Sequence, residues 1–402
     1  MVARRITQKL WQSKSVTKQQ IRYLHLQEYQ SQQLLRDFGI PVPRGQVATT
    51  PDDVGKIVEQ FGAKCVIKSQ ILKGGRGKGT FDNGLNGGIK VTESPTEAKE
   101  LSSKMLGYRL RTKQTSGNGV LVNKLYVAES VDYTEEWYLA LTLDREDYSP
   151  VLLISRNGGI DVEDAAKSDG SLNSFHFKFS DGITPDLISR IQASIGATVN
   201  EIDKLNGILT RLWDLFVSKD ATMLEINPLV RTADGFKCLD AKFTFDDAAV
   251  SRQPDLFSLR DVQAEVSEEV EAQKYGLVYV KLDGTIGNVV NGAGLAMATN
   301  DAIAYCKGTS ANFLDAGGQA TKETMQKAFE IILRDNRVKV ILVNIYGGII
   351  KCDMIAESII GAAEELGPLH VPLVLEEANL GFQLESGFGE AAQKAVELAK
   401  AA

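Results

Sequence analysis

From Leu277 to the C-terminus, apolar runs of strand length alternate with stretches of helical periodicity, and that alternation leaves little freedom in the topology. The spacing predicts strands over 277–282, 289–291, 312–314, 338–345 and 371–375. Helices are expected over 295–305, 322–334 and 352–366, with a last one near 390–400. A strand that reaches its parallel neighbour needs a crossover, and helices supply it while covering the sheet. The expectation is therefore a doubly wound parallel sheet, in which ligands gather at the carboxyl ends of the strands. Two glycine turns lie at that edge, Asn291-Gly-Ala-Gly294 and Gly347-Gly-Ile-Ile350, each ahead of a helix. Unpaired N–H groups at a helix start suit an anion.

The pattern upstream is different. Helices are expected from Glu28 to Phe38 and from Pro51 to Gly62, and a capping box Ser94-Pro-Thr-Glu97 opens a third. Strand-like runs follow at 120–129, 138–143 and 151–155, with Asn157-Gly158-Gly159 as a turn, and then two helices over 185–196 and 199–217. Strands and helices without strict alternation read as an α+β domain. Residues 254–273 are rich in Asp and Glu and read as a solvated connector. The expected division is a leader over 1–24, a first domain over 25–250, an acidic linker over 251–275 and a second domain over 276–402.

One stretch of the first domain points to chemistry. The β-branched run Val66-Ile-Lys68 leads into a loop in which Gly74, Gly75, Gly77 and Gly79 alternate with Lys73, Arg76 and Lys78. Glycines let backbone N–H groups face a ligand, and interleaved cations make an anion-binding concavity. This is no Walker A loop, because Gly79 follows Gly77-Lys78 where Ser or Thr is required. On its own the loop reads equally as a flexible lid over a polyphosphate and as a basic surface hairpin.

A second constellation lies in 221–243. The run Leu224-Glu-Ile-Asn-Pro-Leu229 places Glu225, Asn227 and Leu229 on one strand face, and Asp234-Gly235 signals a tight turn. With Asp234 and Gly235 as the loop residues, Asp240 falls opposite Leu229 and diagonal to Asn227, roughly 7–8 Å away. Their oxygens suit Mg²⁺, which takes few protein ligands and completes its shell with phosphates. The competing reading is a polar, solvent-facing hairpin side.

Composition narrows the remaining choices. The chain has 402 residues, 43% hydrophobic and 24% charged, with a net charge of −7, which argues against a nucleic-acid binder. No apolar run is long enough to span a bilayer. Cys65, Cys238, Cys306 and Cys352 are dispersed and read as reduced thiols. Only three histidines are present, His25, His176 and His370, without metal-ligand spacing, so a histidine-based reaction would need one from another chain. Residues 1–27 lack Asp and Glu but carry Arg4, Arg5, Lys9, Lys14, Lys18 and Arg22, the composition of an organelle transit peptide.

These motifs together resemble the succinyl-CoA synthetase (succinate–CoA ligase) β-subunit family. The resemblance rests on Gln27-Glu-Tyr-Gln30, Lys73-Gly-Gly-Arg-Gly-Lys78, Leu224-Glu-Ile-Asn-Pro-Leu229, Cys238-Leu-Asp-Ala-Lys242, Val290-Asn-Gly-Ala-Gly-Leu-Ala-Met297, Asn312-Phe-Leu-Asp315 and Val343-Asn-Ile-Tyr-Gly-Gly-Ile349. It implies an ATP-grasp domain followed by a flavodoxin-like CoA-ligase domain. It implies the reversible conversion of succinyl-CoA, phosphate and a nucleoside diphosphate to succinate, CoA and the triphosphate, in the tricarboxylic acid cycle. The family's phosphohistidine and CoA site are on an α subunit, the implied partner. Lys68, Gly75, Arg76 and Gly77 match nucleotide phosphate contacts, and Glu129 and Glu136 match further nucleotide contacts. Asn227 and Asp240 match the Mg²⁺ ligands. Glu225 matches the glutamate that accepts a hydrogen bond from the phosphohistidine. Asn291, Gly348, Ile349 and Ile350 match the succinate and phosphate site. With the basic leader, the expected compartment is the mitochondrial matrix or a related organelle such as a hydrogenosome.

The sequence departs from the family at Gln27, where His is usual, at Gln319, where Gly is usual, and after Val374, where Leu375-Glu-Glu-Ala-Asn-Leu380 replaces an arginine-containing segment. Pro43 resembles the ADP/ATP type, so ADP is favoured over GDP. Three other readings stay open: a malate-type ligase subunit, a catalytically weak structural subunit, and a dinucleotide-binding oxidoreductase. The last is suggested by Gly292-x-Gly294 with Asp315, but Met297 stands in place of the third glycine.

Overall fold

A computed structural model describes residues 23–115, 119–159, 172–317, 321–346, 353–354, 357–358, 360–361, 373–374 and 387–402. The expected leader, except for its last two residues, lies outside them, as do Cys352, the turn at Gln319 and the divergent segment after Val374. The chain divides into two compact units between Ala264 and Glu265.

The first unit begins with β1 (Tyr23–His25), α1 (Glu28–Asp37), β2 (Gly45–Ala48), α2 (Pro51–Phe61), β3 (Cys65–Ser69), β4 (Thr80–Phe81), β5 (Ile89–Thr92) and α3 (Pro95–Ser103). It continues with β6 (Arg109–Arg111), β7 (Val120–Leu121), β8 (Leu125–Glu129), β9 (Glu135–Asp144), β10 (Ser149–Ser155) and β11 (Asn173–His176). Then come α4 (Pro185–Ile195), α5 (Val199–Ser218), β12 (Ala221–Thr232), β13 (Gly235–Cys238), β14 (Ala241–Asp246) and the short α6 (Pro254–Phe257). Local chemistry explains the helix ends. The Thr50 hydroxyl accepts from the Asp53 N–H ahead of Pro51, and Gly62, at φ +60°, closes the same helix. Thr198 and Glu201 form a reciprocal capping box on α5.

The largest sheet is antiparallel, in the order β1-β14-β12-β9-β10-β11, with β13 paired to β12. On α5, Ile202, Leu205, Leu209, Leu212 and Phe216 recur at helical spacing and are buried against Leu139, Leu141, Leu224 and Ile226 of the sheet. Each such side chain contributes about 1.5–3 kcal/mol by leaving water. Because strand side chains alternate, burying Leu224 and Ile226 turns Glu225 and Asn227 to the opposite face, but Leu229, expected beside them, is buried with the core because the pairing is irregular between Ile226 and Leu229. A smaller antiparallel sheet, β2-β8-β3-β5, buries Ile67 and Val127 under α2 and α3, so Lys68 points away from that core.

A polar corner braces the large sheet. The Glu135 carboxylate accepts from Trp137 Nε1 at 2.9 Å, Arg156 Nη2 at 2.9 Å and Arg231 Nη1 at 2.7 Å. The Trp137 hydrogen bond foremost, with the two arginines, outweighs desolvation and holds this carboxyl down at about 2. A depressed carboxyl contributes stability above its ordinary value and loses it as pH falls through the depressed one. The expected result is a loss of about 1 kcal/mol between pH 4.5 and 2 from this half-buried group, after allowance for solvent screening. Acid unfolding of Glu135→Gln, followed by circular dichroism, should show a correspondingly shallower acid limb than the parent.

The second unit contains α7 (Ser267–Lys274), β15 (Val278–Lys281), β16 (Ile286–Val290), α8 (Ala293–Tyr305), β17 (Asn312–Asp315), α9 (Lys322–Leu333), β18 (Val340–Asn344), β19 (Leu373–Val374) and α10 (Phe388–Ala401). Strands β16, β18 and β19 are parallel, as expected, but β15 pairs antiparallel with β17. The all-parallel expectation fails at β15 for a simple reason. Only residues 282–285 connect β15 to β16, far too few for a crossover, so the chain simply reverses. Gly284 permits that reversal, since a Cβ there would lie 2.3 Å from the Thr309 carbonyl. Buried amides join β17 to β16: Asn312 Oδ1 accepts from the Asn288 N–H at 2.9 Å, and Asn312 Nδ2 donates to the Asn288 carbonyl at 2.8 Å. In the acidic connector, Leu256 is buried in the first unit's core and Ala272 in the second's.

Candidate nucleotide and metal site

The side chain of Lys68 leaves β3 on the face opposite the α2–α3 core and is nearly buried. Its ammonium donates to Glu28 Oε1 at 2.6 Å and to the Leu239 carbonyl at 2.7 Å. Glu28 stands in the first turn of α1, where a helix start favours negative charge. Its other oxygen, Oε2, accepts from Arg76 Nη1 at 2.7 Å. Arg76 also donates to the Ser69 carbonyl at 3.0 Å and, through Nη2, to Asp240 Oδ2 at 2.8 Å. Two cations and two carboxylates thus alternate across four segments of the chain.

The electrostatics follow from that alternation. Burial alone would raise the Glu28 carboxyl, but the charges and hydrogen bonds of Lys68 and Arg76 outweigh it and hold it below the ordinary carboxylate range. Asp240 goes the other way: burial and the neighbouring Glu28 charge push it up more than Arg76 and Lys68 pull it down. A divalent cation at Asp240 would favour its ionised form.

The glycine loop differs from an open cradle lined by three cations. Residues Arg76–Lys78 form a tight turn that begins at Gly75, at φ +75°. The Arg76 carbonyl accepts from the N–H groups of Gly79 at 3.1 Å and Gly88 at 2.8 Å, which folds the loop onto its own base. Arg76 is therefore buried and faces inward, whereas Lys73, Gly75, Gly77 and Lys78 are exposed.

The hairpin register also departs from expectation. Thr232 pairs with Gly235, so Ala233 and Asp234 are the loop residues, and Leu229 faces Cys238 instead of Asp240. Glycine at the fourth position is a common turn solution, which moves the pairing by two residues. A two-residue shift preserves the strand face. It brings Asp240 directly opposite Asn227, whose N–H donates to the Asp240 carbonyl at 3.1 Å.

Asn227 is held by a backbone it was not expected to meet. Its Oδ1 accepts from the Gly159 N–H at 2.7 Å, and its Nδ2 donates to the Gly159 carbonyl at 3.0 Å. The Gly158 N–H donates in turn to the Glu136 carbonyl at 2.7 Å. One continuous bonded set therefore runs Glu136, Gly158–Gly159, Asn227, Asp240, Arg76, Glu28 and Lys68. The Glu136 carboxylate accepts from the Tyr133 hydroxyl at 2.6 Å. Glu225 lies two residues before Asn227 on the same face of β12. Glu129 stands apart, in a two-pronged pair with Arg44 at 3.0 and 2.8 Å.

Asn227 and Asp240 fit a hard cation by donor chemistry. Asn227 Oδ1 keeps a second lone pair beyond Gly159, and Asp240 offers Oδ1 in addition to the oxygen that faces Arg76. One carboxylate and one amide oxygen are a sparse set of the kind Mg²⁺ uses beside phosphate oxygens.

In the second unit, Asn291 spans the ends of β16 and β18. Its Nδ2 donates to the Tyr346 carbonyl at 2.9 Å and its Oδ1 accepts from the Tyr346 N–H at 2.7 Å. Asp315 Oδ1 accepts from the N–H groups of Gly292 at 2.6 Å and Gly317 at 2.7 Å. Gly348, Ile349 and Ile350 lie outside the described residues.

Sequence reasoning missed Glu28 and Gly158–Gly159 as parts of the site. Glu28 was visible inside Gln27-Glu-Tyr-Gln30, and the two glycines were visible as a turn. No local pattern signalled what either would touch.

Comparison with known proteins identifies the family. Residues 25–231 match the ATP-grasp domain model and residues 289–376 the CoA-ligase model. The fold and site define an ATP-grasp ligase subunit. Among relatives, the mitochondrial β subunit of an ADP-forming succinate–CoA ligase from Neurospora crassa is 43% identical, covering 96% of this chain and 90% of its own. A hydrogenosomal ADP-forming counterpart from Neocallimastix frontalis is 41% identical, covering 94% and 91%. A mitochondrial GDP-forming one from Dictyostelium discoideum is also 41% identical, covering 96% and 95%. The chain belongs to the family of succinate–CoA ligase β subunits. A solved ATP citrate lyase from Methanothrix soehngenii shares the fold, with a TM-score of 0.66 at 17% identity over 94% of this chain and all of that one.

Proposed function

We propose that this chain is the nucleotide-binding β subunit of an organellar succinate–CoA ligase that interconverts succinyl-CoA, phosphate and ADP with succinate, CoA and ATP. The observation that carries the reading is the bonded set from Glu136 through Asn227 and Asp240 to Arg76 and Lys68. It gathers donors for phosphates and oxygens for a metal on one face of the first unit. Lys68, Gly75, Arg76 and Gly77 hold the nucleotide phosphates, while Glu129 and Glu136 make further nucleotide contacts. Asn227 and Asp240 hold Mg²⁺, which when bound neutralises phosphate charge. Phosphoryl transfer asks the protein mainly for positioning and charge, and the residues here supply both.

Glu225 accepts a hydrogen bond from the phosphohistidine of an α-subunit partner, which also supplies the CoA site. Asn291, Gly348, Ile349 and Ile350 form the succinate and phosphate end. The scarcity of histidine in this chain is consistent with a carrier histidine elsewhere. ADP is favoured over GDP by Pro43. Among the described residues, no helix is long and apolar enough to cross a membrane.

Co-expression with a cognate α subunit tests the reading. The expected result is a stable heteromer that forms ATP from ADP in the presence of succinyl-CoA and phosphate, with lower turnover on GDP. Failure to assemble would contradict it, and a strong preference for malate over succinate would reassign the substrate.

A further inference from the structure

We propose that Glu28 is a positioning residue for the nucleotide phosphates. Its carboxylate holds the Lys68 ammonium and the Arg76 guanidinium so that their remaining N–H groups face the site. The inference rests on the reading that these two cations bind phosphate.

The Glu28 side chain is only 2% exposed. A carboxylate buried to that degree needs compensation, and Lys68 and Arg76 both supply it. Donor counting shows what this achieves. Lys68 has three N–H groups; one goes to Glu28 and one to the Leu239 carbonyl, which leaves one. Arg76 has five; three go to Glu28, the Ser69 carbonyl and Asp240, which leaves two. The long, flexible side chains therefore reach the ligand already oriented, and ordering them adds less to the cost of binding. The shared negative charge also offsets the repulsion between two cations that reach it from separate segments.

The carboxylate is itself fixed by a helix. At the N-terminus of α1, Gln30 Oε1 accepts from the Gln27 N–H at 2.9 Å. Outward from there, Gln30 Nε2 donates to the Leu259 carbonyl at 2.7 Å, and Gln27 Nε2 donates to Asp261. Glu28 is thus the link between a tethered helix and the two cations, the supporting arrangement that a precise site requires.

Glu28→Gln, in the heteromer with the α subunit, tests this. The amide keeps the shape but removes the charge and turns an N–H₂ toward one cation. The dissociation constant of Mg-ADP, read by titration calorimetry, is expected to rise at least tenfold. The KM for succinyl-CoA should stay near the parent value, while the melting temperature falls because two buried cations lose their shared counter-charge. Glu28→Asp, which keeps the charge on a shorter arm, should fall between the two. An Mg-ADP constant within twofold of the parent in Glu28→Gln, with Lys68→Ala weakened in the same assay, overturns the role of Glu28 and leaves the site reading intact. Unchanged binding in Lys68→Ala overturns the site reading itself. Equal loss of nucleotide binding and succinyl-CoA KM, without recovery in Glu28→Asp, overturns the inference by making Glu28 merely structural. If Glu28→Gln does not fold, Glu28→Asp decides: a threefold or larger rise in the Mg-ADP constant supports the role, and no rise overturns it.

Discussion

Replacing Lys68 with alanine is expected to lower nucleotide-dependent turnover of the reconstituted heteromer by about a hundredfold or more. Removal of one preorganised donor from developing charge in a dry site typically costs 10²- to 10³-fold, about 2.7–4 kcal/mol. Lys68 meets the conditions for that range, with an ammonium fixed by Glu28 at 2.6 Å and the Leu239 carbonyl at 2.7 Å. The substitution also leaves Glu28 with one cation instead of two, so a loss of about 1–3 kcal/mol in stability accompanies it. Steady-state assays at saturating ADP, run beside thermal unfolding, separate the two effects. Unchanged turnover would make this chain a scaffold and not the nucleotide subunit.

The second large effect is expected at a glycine. A Cβ on Gly158 would lie 2.5 Å from both the carbonyl carbon and the carbonyl oxygen of Trp137. Backbone in a central strand has no room to yield, and Trp137 is itself fully buried against Phe236 with ring centroids 4.8 Å apart. The segment carrying Gly159 must move instead, away from both bonds that orient the Asn227 amide. Gly158→Ala should therefore cost about 1–3 kcal/mol in stability, the usual penalty of overpacking. It should also weaken Mg²⁺ support of nucleotide binding about tenfold, in the lower range for loss of a partner that orients a metal ligand. Calorimetric titration of ADP at a series of Mg²⁺ concentrations reads the second effect. An unaltered Mg²⁺ dependence would detach the glycine pair from the metal site.

Both positions show where reading the chain succeeds and where it stops. Lys68 stands out because a charged residue in a β-branched run before a glycine loop is conspicuous. Gly158 and Gly159 announced only a turn, since a glycine reports permitted backbone geometry and not what lies beside it. Glu28 is similar: a carboxylate in a helix's first turn is ordinary until Lys68, 40 residues away, and Arg76, 48 residues away, converge on it. In the second unit, the parallel pairing expected from alternation holds among β16, β18 and β19. It failed at β15, where four residues connect two strands and no crossover fits.

By itself the sequence determined the two-part plan, the main helices, several of their ends, and the face of β12 that carries Glu225 and Asn227. All of these follow from periods of 3.6 and 2 residues and from local capping chemistry. Tertiary structure decided three further things: the register that sets Asp240 directly opposite Asn227, the inward turn of Arg76, and the carboxylate shared between Lys68 and Arg76. The physical reason is that periodicity tells a side chain which way to face. Only the pairing of distant segments tells it what it will meet there.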